Sequence, residues 1–199
     1  TTQIPQILLD AGFARSGIIG VTQPRRIAAV SVAEFIAGQR GTSIPDTIGF
    51  KMRFEDRTDC ATSIKIMTDG ILLQEIKADY ALSRYSLIMV DEAHERSLNI
   101  DFILGLLKRV LAERSEFKVV ISSATINAEI FSEYFDGCPI VNIETPMYPI
   151  QMHYDPPKPG GGQEALQDKI AQIVKKIGSS ASTEGDILIF LPGEGAIKD

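Results

Sequence analysis

Cysteine is scarce in this sequence, and its scarcity limits both the chemistry and the setting of the protein. Cys60 and Cys138 are the two cysteines among 199 residues, too few for a disulfide framework or for a thiolate zinc site. We therefore expect a cytoplasmic protein. The sequence also lacks an apolar run near the roughly 18 residues that a membrane span needs, and its first residues carry no secretory signal pattern. These absences predict a protein with no membrane partner.

An excess of basic residues is also absent. The chain has 20 lysines and arginines against 26 acidic residues, a net charge of −6, which disfavours a histone-like role. Aromatic and basic side chains do not interleave, so we expect no platform for stacking bases. A local basic strip can still bind phosphates. Nucleic acid would then be held by its backbone, with little dependence on base sequence.

Short apolar runs alternate with amphipathic stretches along the chain. This alternation predicts an α/β fold in three layers, with a mostly parallel sheet between helices. The run Leu87–Val90 is apolar throughout, as expected of a central strand covered on both faces. The predicted strands are Ile18–Thr22, Ile48–Arg53, Thr62–Thr68, Ser86–Val90, Val119–Ser122, Pro139–Ile143 and Ile187–Leu191. The predicted helices are Thr2–Asp10, Arg25–Gly38, Gly70–Ala78, Ile100–Arg114, Ala128–Phe135 and Glu164–Ile177.

A break in composition divides the chain. Residues 155–162 read Asp-Pro-Pro-Lys-Pro-Gly-Gly-Gly, which is typical of a linker and unsuited to a helix or a central strand. One helix and one apolar strand follow, and such a pair cannot bury its apolar faces alone. We expect a first domain at 1–154, a linker at 155–162 and the start of a second domain at 163–199.

Two adjacent acids, Asp91 and Glu92, follow the predicted central strand. In parallel α/β sheets, ligands bind beyond the carboxyl ends of the strands. There, one acid can hold Mg²⁺ while the other accepts a proton from an attacking water. Taken alone, the pair is explained more simply as a solvated turn that caps the next helix. The segments around it decide between the two interpretations.

Four polar segments follow predicted strands in a distinctive order. They are Thr22-Gln23-Pro24-Arg25-Arg26, Thr68-Asp69-Gly70, Asp91-Glu92-Ala93-His94 and Ser123-Ala124-Thr125. With these motifs the sequence resembles the DEAH-box family of superfamily 2 helicases, and Asp91–Phe102 is most similar to the bacterial HrpA-type RNA helicases. The resemblance extends over nearly the whole chain, from Thr1 to Gly193.

The resemblance implies two RecA-like domains of the P-loop NTPase class. ATP or another NTP would bind with Mg²⁺ in the cleft between the two domains. Single-stranded or structured RNA, or DNA, would bind across the top of both domains. The chain would supply the first domain without its opening strand and phosphate loop. The remaining RecA-like and C-terminal domains would be its partners. Because that loop carries the phosphate-binding glycines and lysine, this stretch alone is expected to bind ATP poorly and to hydrolyse little.

The resemblance also assigns roles near the nucleotide. Thr1 would ligate Mg²⁺, and Thr2 would lie in the helix that follows. Asp91 would hold the metal, Glu92 would be the catalytic base, and His94 would reach toward the second domain and the γ-phosphate.

The Ser-Ala-Thr segment would couple hydrolysis to domain movement. In this role the hydroxyls of Ser123 and Thr125 would hydrogen-bond toward the acidic motif. The alternative, compatible with the first, is a cluster that caps the next helix.

Nucleic-acid contacts are expected at turns from strand to helix, where backbone N–H groups and hydroxyls suit phosphate oxygens. The candidates are Thr22, Arg25, Arg26, Thr68 and Gly70, together with Arg53, which resembles the arginine of a hook-shaped turn that touches RNA in relatives. Arg25 and Arg53 have an alternative as members of surface ion pairs.

Phe35 departs from the family pattern. Relatives often carry an arginine there that stacks on adenine. The Phe35 ring either replaces that stacking or belongs to the core, and we expect the core.

Three functions compete at this stage. The first is a fragment of an ATP-dependent RNA helicase, a hydrolase acting on phosphoanhydrides. The second is a non-catalytic scaffold of RecA-like fold that binds RNA or protein, and retention of both Asp91 and Glu92 argues against it. A small-molecule P-loop kinase is the third, and it leaves the Arg25-Arg26 and Thr68 turns unexplained.

Overall fold

A computed structural model describes residues 1–124, 128–143, 148–157, 160, 162–179 and 185–198, apart from the side chain of Gln163. The chain divides into two units, Thr1–Asn142 and Ile143–Asp199. The division falls ahead of the predicted linker at 155–162. Among the described residues, no helix is both long and apolar enough to cross a membrane.

The first unit is built on a six-stranded sheet. The strand order is β3-β2-β4-β1-β5-β6, and all neighbouring strands are parallel except the antiparallel pair β2 and β3. The mostly parallel sheet confirms the α/β fold expected from the alternating pattern. The strands are β1 (Ile18–Gln23), β2 (Ile48–Met52), β3 (Glu55–Arg57), β4 (Ile64–Thr68), β5 (Tyr85–Val90) and β6 (Lys118–Ile121).

Helices cover both faces of this sheet. In the first unit they are α1 (Gln3–Asp10), α2 (Arg26–Arg40), α3 (Asp69–Ala78), α4 (Leu98–Glu113) and α5 (Ala128–Tyr134). The second unit contains α6 (Gly162–Gly178) and α7 (Glu194–Lys198) among its described residues.

Two hydrophobic cores lie on opposite faces of the sheet. Successive side chains of a strand point to opposite faces, and every residue of β5 is buried. Leu87 packs in the core that contains Ile36 of α2. Ile88, the next residue, packs in the core that contains Leu107 of α4. This arrangement explains why β5 is apolar throughout.

Local signals set the ends of the two longest helices of the first unit. The Ser97 hydroxyl caps α4 by accepting a hydrogen bond from the Ile100 N–H at 3.2 Å, which satisfies a donor that the first helical turn leaves unpaired. At the end of α2, Gly41 adopts a left-handed conformation with φ of 66°, which glycine adopts without a steric penalty.

The structure differs from the sequence-based expectations in four places. The predicted strands at Pro139–Ile143 and Ile187–Leu191 are not strands; both segments are largely exposed, and neither pairs with another strand in the described part of the chain. β3 was not predicted because its three residues are polar and exposed and show no apolar alternation. The expectation that Phe35 lies in the core is wrong. Phe35 belongs to α2 and is 51% exposed.

Candidate functional site

Asp91 lies where three neighbouring strands end. Strand register places Thr22 of β1 beside Val90 of β5, and Val90 beside Ile121 of β6. The next residue of each strand is therefore polar and at the same level: Gln23, Asp91 and Ser122. Gln23 Nε2 donates to Asp91 Oδ2 at 2.6 Å, and the Ser122 hydroxyl donates to Asp91 Oδ1.

Asp91 is fully buried, and both oxygens of its carboxylate accept hydrogen bonds. An ionised carboxylate has about four acceptor positions, so each oxygen keeps capacity for a further ligand. Burial of such a group is tolerated because its charge is stabilised by these donors. The arrangement gives a fixed, oriented acid at the carboxyl edge of the sheet.

Glu92 and His94 lie beside Asp91 but are more accessible. Glu92 has a left-handed backbone, with φ of 55°, a conformation that is costly for a residue with a side chain and is frequent at functional sites. Glu92 Oε2 is 3.4 Å from His94 Nδ1. The same nitrogen accepts the N–H of Ala124 at 3.2 Å.

The acidic motif and the Ser-Ala-Thr segment are in direct contact. In addition to the hydroxyl of Ser122 on Asp91, the Ser122 carbonyl accepts the Ala93 N–H at 3.0 Å, and Ala124 binds the His94 ring. The predicted coupling residue Ser123 lies between these two contacts. Thr125, the other predicted coupling residue, lies outside the described residues.

The first predicted nucleic-acid residue, Thr22, is not at the surface. Its side chain is fully buried, and its hydroxyl and one Asp69 carboxyl oxygen have no hydrogen bond of standard geometry. Burial raises the pKa of Asp69, the Thr22 hydroxyl opposes that rise, and the nearby Glu95 carboxylate adds to it. In this conformation the Thr22 side chain is not available to nucleic acid, contrary to expectation.

Arg25 and Arg26 are both exposed at the start of α2. Arg25 pairs with Glu95 at 3.4 Å, so the alternative of an ion pair is present in the structure. The first turn of α2 has no acidic residue and no side-chain cap. Its backbone N–H groups and the helix dipole therefore favour an anion at this position.

The other predicted contacts lie at the same edge of the sheet. Arg53 is exposed in the turn between β2 and β3, and its guanidinium lies over the Phe54 ring at 5.1 Å. Thr68 and Gly70 begin α3 and are half-buried. No atom lies within 4 Å of the position that a Gly70 side chain would occupy, so the space beside this turn is open.

The strand order separates the two groups of candidates. The predicted nucleic-acid turns follow β2, β4 and β1, which are adjacent in the sheet, whereas Asp91 and Ser122 follow β5 and β6. β1 lies between the groups, since its last residue, Gln23, binds Asp91 and the next turn carries Arg25 and Arg26.

Thr1 and Thr2 precede α1. Thr1 is exposed and Thr2 is half-buried, and the Thr2 carbonyl accepts a hydrogen bond from Gln6 at 3.0 Å. Within the described residues, no hydrogen bond joins either threonine to Asp91 or Glu92. The place of both threonines beside the nucleotide stays a prediction.

Sequence reasoning missed Gln23 and Ser122 as partners of Asp91. Each is next to a residue that was singled out, Thr22 and Ser123. Strand register would have identified them, because the residue after Thr22 in β1 and the residue after Ile121 in β6 are level with Asp91.

A mostly parallel sheet covered on both faces, with an acidic pair beyond a central strand, defines an α/β domain of the RecA-like class. Comparison with known proteins agrees with this class. No family model matches the chain. Over its whole length, however, the chain is 53% identical to the ATP-dependent RNA helicase HrpA of Borreliella burgdorferi and 44% identical to that of Escherichia coli. It is 39% identical to the probable ATP-dependent RNA helicase DHX35 homolog of Caenorhabditis elegans.

The chain spans only part of these relatives: 24%, 15% and 28% of their respective lengths. The similarity confirms the resemblance to the DEAH-box helicase family that was drawn from the motifs.

Proposed function

We propose that these residues form the first motor domain, and the start of the second, of an ATP-dependent RNA helicase. In the full-length protein, ATP hydrolysis would drive movement along RNA and strand separation. The observation that carries the proposal is the buried Asp91, held through both oxygens at the junction of β1, β5 and β6, with Glu92 next to it. A binding scaffold has no physical need for such a carboxylate.

The residues around Asp91 fit a magnesium ion that is only partly held by protein. Carboxylate oxygens are ligands that Mg²⁺ prefers, and it commonly keeps waters and binds substrate phosphates beside one or two carboxylates. The described residues contain no group of three or more potential ligands that would form a full protein cage. Asp91 would hold the ion, with Thr1 as the hydroxyl ligand assigned by resemblance. When bound, Mg²⁺ would neutralise charge on the phosphates.

Glu92 is proposed as the base that orients and deprotonates the attacking water. It is adjacent to Asp91, and its side chain is 38% exposed, so it can reach a water that the buried acid cannot. His94 would respond to the nucleotide through its exposed face while its Nδ1 stays on Ala124. Ser123 and Thr125 are proposed to transmit nucleotide state to domain movement, since the residue before their segment, Ser122, contacts Asp91 and Ala124 within it contacts His94.

The RNA track is proposed to follow the turns after β2, β4 and β1. Arg53, Thr68, Gly70, Arg25 and Arg26 would contact phosphates and sugars, whereas Thr22 would support the turn from inside. Binding would be independent of base sequence, because these groups suit phosphate oxygens and aromatic residues do not interleave with basic ones along the sequence. We also propose that the full-length protein can use other NTPs, can act on DNA and is located in the cytoplasm.

Two substitutions at neighbouring positions test the division of roles. In the full-length protein, Glu92→Gln should nearly abolish ATP hydrolysis while ATP binding stays near wild type, because it removes the base and keeps the shape. Asp91→Asn should instead raise the Mg²⁺ concentration needed for nucleotide binding. ATPase rates and nucleotide affinities measured across a Mg²⁺ titration separate the two effects.

Glu113→Gln, which neutralises an exposed acid at the end of α4, is the matched control and should leave both activities unchanged. Equal loss of binding and turnover in Glu92→Gln would contradict the assignment of the base. A full-length protein that binds RNA but shows no hydrolysis before any substitution would favour the scaffold.

A further inference from the structure

A cluster of charged residues lies under α3, away from Asp91. Glu75 of α3 accepts hydrogen bonds from Lys65 Nζ at 2.5 Å and from the Tyr85 hydroxyl. Lys51 Nζ lies 3.4 Å from the same carboxylate. Burial alone would raise the pKa of Glu75, but the bonds from Lys65 and Tyr85 outweigh it and hold the pKa below its usual range. The proposed chemistry at Asp91 does not use this cluster.

The cluster extends to the edge of the sheet through Lys51. Its ammonium group also binds Asp56 Oδ2 at 3.1 Å, and Asp56 lies directly opposite Lys51 in the antiparallel pair of β2 and β3. Thr58 donates to the other Asp56 oxygen at 2.6 Å. A continuous path of ionic contacts therefore runs from the short edge strand β3 through Lys51 to Glu75 on α3.

The path joins the two elements that carry proposed RNA contacts, the hairpin of β2 and β3 and the helix α3. Lys51 of β2 is level with Met67 of β4, so Arg53 and the turn Thr68–Gly70 lie beyond neighbouring strands at the same edge of the sheet. β3 is only three residues long and exposed, so hydrophobic burial holds it weakly. The ion pairs of Lys51 with Asp56 and Glu75 therefore connect the β2–β3 hairpin to α3.

We propose that Asp56, Lys51 and Glu75 are positioning residues for RNA, which fix Arg53 at the hairpin tip relative to the Thr68–Gly70 turn. Neither Asp56 nor Glu75 touches RNA itself. This inference rests on the proposed RNA-binding function, and it adds that the spacing of two phosphate contacts is set by a partly exposed path of ion pairs on the α3 face of the sheet.

Asp56→Asn gives the sharpest test, because a simple charge effect and a positioning role predict opposite changes in the Kd for RNA. Removal of a negative charge near an RNA surface should by itself tighten binding. If Asp56 positions the hairpin, the substitution should weaken binding instead, raising the Kd about two- to five-fold, as expected for one exposed ion pair. The assay is the fluorescence anisotropy of a labelled oligouridylate titrated with the full-length protein. A lowered or unchanged Kd would overturn the proposal.

A second variant removes Lys51, the residue that contacts both Asp56 and Glu75. Lys51→Met should weaken RNA binding more than Lys108→Met. The two lysines are similarly exposed, 33% and 38%, and each pairs with an aspartate at 3.1 Å. The loss of one positive charge is therefore matched between the two variants. Equal effects of the two substitutions would mean that only net charge matters, which would refute the positioning role.

The double variant with Arg53→Ala separates this proposal from the one on which it rests. With no arginine left to position, Asp56→Asn should change the Kd less than it does in the wild-type protein. Additive effects would refute positioning while leaving RNA binding intact. If Arg53→Ala and Arg26→Ala both leave the Kd unchanged in a folded protein, the RNA-binding proposal itself fails, and the positioning proposal fails with it.

Discussion

Replacement of Lys65 by methionine should reveal how strongly the cluster under α3 depends on its buried pair. The Lys65 side chain is 5% exposed and its partner Glu75 is 18% exposed. Methionine keeps most of the apolar stem and removes the charge. Loss of one partner from a buried ion pair costs about 3–5 kcal/mol, because the other charge is left uncompensated. Here Tyr85 and Lys51 still contact Glu75, so we expect about 2–3 kcal/mol.

The measurement is urea unfolding followed by far-ultraviolet circular dichroism, since the chain has no tryptophan. Lys108→Met is the control, because Lys108 forms an exposed pair with Asp136 and should cost less than about 1 kcal/mol. A loss for Lys65→Met no larger than that of the control would refute the view that the buried pair stabilises the domain.

The pH dependence adds an independent check. The lowered pKa of Glu75 means that its ionised form contributes stability above the pKa of the unfolded chain, and that this contribution is lost as the pH falls through the lower pKa of the folded protein. Without Lys65, burial dominates and the pKa of Glu75 should rise. Protonation then relieves the buried charge, so the difference in stability between variant and wild type should shrink between about pH 7 and pH 5. A difference that does not vary with pH would contradict this reasoning.

Three further predictions concern the site and the core. Ser122→Ala removes one of the two donors that hold Asp91, and in the full-length protein it should raise the Mg²⁺ concentration for half-maximal ATPase activity; an unchanged titration would show that this hydroxyl does not orient the carboxylate. Arg26→Ala should weaken binding to single-stranded RNA of any sequence and flatten the slope of log K against log salt by about 0.7, whereas an unchanged slope in a folded protein would make Arg26 structural. Gly20→Ala would place a methyl carbon 2.5 Å from Ile88 Cδ1 and should lower the free energy of unfolding by about 1–3 kcal/mol in urea titrations; wild-type stability would refute the close packing at this position.

Sequence patterns predicted the parts of this protein that depend on local chemistry. The apolar run Leu87–Val90 identified the central strand, because a strand buried on both faces has no polar positions. The position of Asp91 and Glu92 directly after that strand, taken together with the neighbouring motifs, predicted an acidic site there. Only the polar edge strand β3, which has no apolar pattern, was missed among the six strands of the sheet.

Tertiary structure decided which distant residues act together. Gln23 and Ser122 are 68 and 31 residues from Asp91 in the chain, and they meet it because β1, β5 and β6 are neighbours in the sheet. The burial of Thr22 and the exposure of Phe35 likewise depend on packing that no local pattern reveals. The sequence by itself determined the α/β class and the residue types at the strand ends, because the class follows from periodicity and the residue types are read from the chain directly. Strand order and register, which arise from pairing between remote segments, determined the partners of Asp91 and the path from Asp56 to Glu75.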